Sequence, residues 1–105
     1  LREFAAERDW DQFHTPKNLA IALSVEVGEL LEHFQWTGDK DPEQFTPPKL
    51  DEVSLEAADV LLYLVRLADK LNIDLIQAAM RKIERNAEKY PVDKVRGSSK
   101  KYTEL

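Results

Sequence analysis

Two segments of this chain each place a pair of carboxylates three residues apart within a helical repeat. Glu26 and Glu29 stand in SVEVGELLEHFQW, Glu56 and Asp59 in LEAADVLLYL. Residues three apart on a helix project from one side. Leu19, Leu23 and Leu30 define the apolar stripe of the first segment, and Glu26 falls on that stripe. A charge on a core face is expensive unless it is paired or coordinates a metal. In the second segment Glu52, Glu56, Asp59 and Tyr63 follow one line along the helix. Taken singly, Glu26 reads as a stripe-edge carboxylate reaching for water, and the second line as a solvated face continued by Arg66 and Lys70. Taken together they constrain the fold. Helices packed antiparallel bring the pairs face to face, and four carboxylates that meet without a cation repel strongly. An all-oxygen set of this kind suits Mg²⁺, which usually serves phosphate chemistry.

The helix signals agree with that packing. A first helix is expected from Arg2 to about Gln12. Thr15-Pro16 is a helix start, Thr as N-cap and Pro at the first helical position, and the helix runs to about Trp36. Thr37 to Phe45, with Asp39, Asp41 and Pro42, reads as a loop. Thr46-Pro47 repeats the start for a third helix, ending near Leu71. Asp74 with Gln77 gives a capping-box pattern for a fourth, which Tyr90-Pro91 stops. No period-2 strand pattern and no repeat is evident. The expectation is an all-α domain over residues 1–90, four-helix-bundle-like with helices 2, 3 and 4 as its core, followed by an extended polar tail over 91–105. Val60 to Val65 is apolar nearly all round, and a helix of that kind is buried on every side. A domain this small can hardly surround one of its own helices, so part of helix 3 is expected to meet another copy in a homo-oligomer.

Composition narrows the chemistry. With no cysteine among 105 residues, disulfides, zinc–thiolate sites and thiol catalysis are excluded, and a reducing compartment, the cytoplasm, is expected. The net charge of −5 disfavours a nucleic-acid backbone as partner but not a nucleotide carrying its own cation. No apolar run approaches a membrane span and no signal peptide is seen. Glu-x-x-His pairs, HExxH, Walker A, GxGxxG and GxSxG motifs are all missing from the sequence. Phosphate recognition is therefore left to a metal and to Lys or Arg side chains. Trp10, Trp36 and Tyr63 can stack on a nucleobase, or can serve simply as core or interface aromatics. Trp36 lies two turns beyond Glu29, and Tyr63 one turn beyond Asp59 on its line. His14, just before the Thr15-Pro16 start, can contact a ligand or face water, and by the residues alone it reads as facing water; His33 has no motif around it and reads as surface.

The residues at this point match a known family. FAAERDWDQFH (Phe4–His14), EVGELLEHFQW (Glu26–Trp36), the ExxD of Glu56–Asp59 followed by VLLYLV, and the ending KYTEL together span nearly the whole chain. The chain resembles the MazG-type all-α nucleoside triphosphate pyrophosphohydrolases, with Trp10, Trp36 and Tyr63 pointing to their dCTP pyrophosphatase branch. The resemblance implies a helical bundle assembled as a dimer of dimers. It also implies Mg²⁺-dependent cleavage of a nucleoside triphosphate substrate to the monophosphate and pyrophosphate. It assigns Glu26, Glu29, Glu56 and Asp59 as metal ligands and catalytic groups. Trp10, Asp11, Gln12, Phe13, His14, Trp36 and Tyr63 correspond to substrate-contacting positions, and Lys82 and Asn86 to positions near the triphosphate. Two departures stand out: Leu1 where close relatives carry a histidine nine residues before Trp10, and Val25 where many carry glutamate. The rival within this chemistry is a relative of other or broad base specificity. The rival outside it is a non-catalytic helical module binding partners through helix 3.

Overall fold

A computed structural model describes residues 1–38 and 45–105. Asp39, Asp41 and Pro42 of the expected loop lie outside the described residues. All regular structure among the described residues is helical: α1 (Arg2–Glu7), a 3₁₀ turn (Asp11–Phe13), α2 (Pro16–Glu32), α3 (Pro47–Lys70), α4 (Leu75–Lys89), α5 (Val92–Val95) and a second 3₁₀ turn (Tyr102–Glu104). They fall into two compact units, Leu1–Asn72 and Ile73–Leu105.

In the first unit the helix starts behave as their residues dictate. Thr15 is extended and its side chain accepts from the Asn18 N–H at 3.2 Å, satisfying one of the orphan donors of α2. Thr46 is extended before Pro47, which occupies the first turn of α3. The helix ends differ from expectation. Instead of continuing to Gln12, α1 stops at Glu7. Asp9 takes φ 52°, and its N–H bonds to the Ala6 carbonyl (3.1 Å) while that of Trp10 reaches back to Ala5 (2.9 Å). This is the Schellman pattern, and its customary apolar contact is present too: Phe4 and Trp10 meet edge to face at 5.8 Å. Aspartate tolerates the left-handed conformation better than most residues, which lets Asp9 stop the helix without a glycine. Likewise α2 ends at Glu32, four residues before Trp36. His33, Phe34 and Gln35 bond three residues back, so the helix tightens and unwinds there. Trp36 is 87 % exposed and is not on a helical line with Glu29, contrary to the expected geometry.

Helices α2 and α3 make the main packing of this unit. His33 meets Lys49, Glu29 lies with Glu56, and His14 meets Arg66. Rising numbers on one side match falling numbers on the other, so the two helices run antiparallel, the arrangement that brings the carboxylate pairs together. Few apolar side chains are sealed off: Ala5, Leu19 and Ala68 among the described residues. Burying Leu19 contributes roughly 1.5–3 kcal/mol. Leu61, Leu62 and Val65, in the apolar run of α3, remain substantially exposed on the single chain.

In the second unit the Asp74 side chain accepts from the Gln77 N–H at 3.0 Å and starts α4. Lys82 and Asn86 stand on this helix. Residues 91–105 are more ordered than the extended tail expected of them. Pro91 precedes α5, Gly97 turns at φ 77°, and Lys101 N–H bonds to the Glu104 side chain at 2.9 Å. Tyr102 packs at right angles on Tyr90 at 6.1 Å, with the Lys89 ammonium over its ring. The polar composition concealed this aromatic anchor.

Candidate functional site

Glu26 and Glu29 reach from α2 and Glu56 from α3, each offering a carboxylate oxygen within 4.8 Å of the others. Glu26 Oε2 and Glu56 Oε2 are buried and have no hydrogen-bond partner among the described residues. Buried carboxylate oxygens are rarely left so, since an unpaired one bears its full desolvation penalty. A divalent cation accepting oxygen ligands is the group that such a set fits. The electrostatics agree. Burial, a hydrogen bond shared with Glu29, and the charges of Glu29, Asp59 and Glu56 push the Glu26 carboxyl up to about 7. Burial and the neighbouring Glu29, with Asp59 adding, raise that of Glu56, and His33 opposes the rise. Asp59 is not one of the three whose oxygens converge, but its charge is felt by both.

Asp59 instead lines a pocket of about 250 Å³ with Leu1, Phe4, Ala5, Trp10, His14, Leu62, Tyr63 and Arg66. The walls are chiefly apolar and aromatic with a few polar groups, the usual make-up of a small-molecule site. The Schellman turn delivers Trp10 to this wall, the Asp11–Phe13 turn sets His14 beside it, and α3 supplies the facing side. Of the residues singled out in the sequence, the pocket therefore gathers Trp10, His14, Asp59 and Tyr63. Asp11, Gln12, Phe13 and Trp36 do not line it. Asp11 accepts from Arg66 (2.5 Å) and Lys70 (2.6 Å), Gln12 donates to Asp9, and the Phe13 ring is exposed. The hydrogen bond from Lys70, helped by Arg66, holds the Asp11 carboxyl below its ordinary range. Leu1 lines the pocket, so the departure from the histidine pattern falls inside it.

Three features escaped the sequence. Arg66, expected on a solvated face, is 7 % exposed and holds Asp11, Asp69 and His14 at once. Its place within the apolar run VLLYLVRLA was the available signal. His14, read from the residues alone as facing water, is partly buried in the pocket wall. His33, read as surface, is likewise partly buried: its Nδ1 lies 2.7 Å from the Lys49 ammonium and its Nε2 lies 4.0 Å from Glu56. No local motif marks it; only the antiparallel register does.

An all-helical unit with a carboxylate cluster beside an aromatic pocket is the class that fold and site define. Comparison with known proteins narrows it. Residues 21–105 match the model of the MazG-like family, and the chain belongs to that family. It is 54 % identical to mouse (Mus musculus) dCTP pyrophosphatase 1 over 98 % of its length, and 50 % identical to the human (Homo sapiens) protein of that name over the same share. It spans 62 % of the length of each. A crystal structure of a pyrophosphatase from Archaeoglobus fulgidus DSM 4304 superposes with a TM-score of 0.80 at 50 % identity, covering 86 % of this chain and 84 % of that one. No helix among the described residues is long and apolar enough to cross a membrane.

Proposed function

We propose that this chain hydrolyses a deoxynucleoside triphosphate, with dCTP or a modified dCTP favoured, to the monophosphate and pyrophosphate, and so cleanses the nucleotide pool in the cytoplasm. The observation that carries the reading is the carboxylate trio with two unpartnered buried oxygens, set near an aromatic pocket that Asp59 lines. Likeness to proteins named dCTP pyrophosphatase supports it.

Glu26, Glu29, Glu56 and Asp59 are the residues to hold Mg²⁺. When bound, Mg²⁺ supplies positive charge against the triphosphate and makes water a stronger acid. Glu29 is the carboxylate we assign to orienting or deprotonating the attacking water. Trp10 and Tyr63 are assigned to stacking on the base and His14 to a polar contact with it, as all three line the pocket. Trp36, Asp11, Gln12 and Phe13, outside the pocket of this single chain, and Lys82 and Asn86 on α4 complete the proposed substrate contacts. A homo-oligomer, a dimer of dimers, is the proposed assembly. The uncovered Leu61, Leu62 and Val65 support it, and so does the short roll of sealed apolar side chains. One observation favours the alternative of looser base preference: Leu1 gives the pocket an apolar wall where a histidine would add a hydrogen-bonding group.

The test is product analysis after incubation with Mg²⁺ and each deoxynucleoside triphosphate separately, 5-modified dCTP and dUTP included. Fastest release of dCMP and pyrophosphate from a cytosine nucleotide is the expected result. Preference for another base keeps the carboxylate assignment and removes the cytosine one. No turnover of any of them by a folded sample overturns the reading.

A further inference from the structure

The nucleoside pocket contains a buried cation whose role the proposed chemistry does not use. The guanidinium of Arg66 is held from several directions. Its Nη2 donates to Asp11 at 2.5 Å, its Nη1 to Asp69 at 3.2 Å, and its Nε to His14 Nδ1 at 3.3 Å. Each carboxylate has a second partner: Lys70 also donates to Asp11, and Arg2 also donates to Asp69. The plane of Arg66 is thus set by two carboxylates, each anchored a second time, and the third contact fixes the imidazole. A guanidinium keeps its protons throughout the accessible pH range and can only donate. His14 Nδ1 must therefore accept, and a neutral imidazole that accepts at Nδ1 carries its proton at Nε2.

A charged His14 would turn an N–H towards an N–H. The groups facing the ring also oppose its charge. Burial, Arg66 and Lys70 all lower its proton affinity, with Asp11 as the counterweight; Asp59 and Tyr63 share its pocket. Among the described residues no group accepts from Nε2. The pocket therefore presents an uncharged donor whose direction is set from behind.

We propose that Arg66 is a positioning residue for substrate recognition: it fixes His14 as the Nε2–H tautomer, aimed to donate to an acceptor on the nucleoside, either a base carbonyl oxygen or an unprotonated ring nitrogen. This rests on the reading of the pocket as the nucleoside subsite and adds to it a rule of selection. A base offering N–H at that point faces donor against donor and leaves a desolvated group unpaired, which is how hydrogen-bonding sites reject near-isosteres.

The experiment pairs a ring-nitrogen readout with kinetics on the full chain. Histidine ¹⁵N shifts are measured for wild type, Arg66→Lys and Arg66→Gln. The lysine variant retains a cation for Asp11 and Asp69 and so guards the fold, but lacks the planar Nε donor. Wild-type His14 is expected as a single neutral Nε2–H tautomer, and the variants as an average of both tautomers. With Mg²⁺ and the preferred nucleotide, KM should rise about tenfold, the weight of one hydrogen bond, with kcat within about twofold. The spread of kcat/KM among bases should narrow. A protonated Nδ1 in wild type overturns the proposal. So do unchanged ring shifts and base preference in both variants, or an equal fall in kcat for every base, which marks Arg66 as structural. If wild type turns over no nucleotide, the functional reading fails by itself, and the ring shifts alone then decide the positioning role.

Discussion

Glu26→Gln tests whether the carboxylate cluster is built for a cation. In the metal-free protein the Glu26 carboxyl is pushed up from 4.5 to about 7, first by burial and then by Glu29, Asp59 and Glu56. Below pH 4.5 the group is neutral in folded and unfolded chains alike and carries no penalty. Between 4.5 and 7 the unfolded chain ionises while the folded one does not, so stability falls as pH rises. Above 7 the full penalty persists. The interval corresponds to about 3 kcal/mol, and solvent screening around a group only partly withdrawn from water reduces this to about 1–2 kcal/mol. Glutamine keeps the shape, removes the charge and can donate to Glu29. Thermal melts in chelator at pH 8 and fixed protein concentration should therefore place E26Q above wild type, by about 4–8 °C for each kcal/mol. The gap should close at pH 4.5. Added Mg²⁺ should raise the wild-type midpoint and leave that of E26Q nearly where it was. A variant less stable than wild type at pH 8 in chelator, or a gap of equal size at both pH values, refutes the reasoning.

Three further outcomes follow from the geometry. Glu56→Ala or Asp59→Ala should abolish nucleotide turnover with helical circular dichroism intact, and retained activity in either removes that residue from the centre. Trp10→Ala should raise KM by roughly tenfold to a hundredfold, the equivalent of about 1–3 kcal/mol of stacking, with little change in kcat; an unchanged KM removes Trp10 from the base wall. Asp74→Ala deletes the N-cap of α4 and should lower stability by about 1 kcal/mol in a denaturant melt, an effect that Asp74→Asn should largely avoid.

The carboxylate pairs were legible because they are local: i,i+3 spacing on a helix is a geometric fact, and Glu26 on a leucine stripe is a conflict that only a partner resolves. Thr15-Pro16, Thr46-Pro47 and Asp74 were legible for a similar reason, since a cap is read within four residues. Helix ends were less so. Asp9 supplies a left-handed turn that composition assigns to glycine, and the i→i−3 bonding after Glu32 leaves no residue signature. His14 and His33 could not be placed correctly by the residues alone, because Arg66 and Glu56, which they approach, lie far along the chain on α3; for Arg66 the surrounding apolar run was the one local signal. Charge by itself reads as solvent exposure until the tertiary packing supplies Asp11 to Arg66 and Glu56 to His33.

The turn at Asp9 separates the site into parts of different origin. Trp10 is brought to its place by bonds that reach back no more than five residues, to Ala5 and Ala6. The carboxylates, by contrast, must find each other across a long intervening stretch of chain, and contacts of that range form late because loop closure comes before any reward. The turn that sets one wall of the aromatic pocket can therefore form transiently before the carboxylates have met.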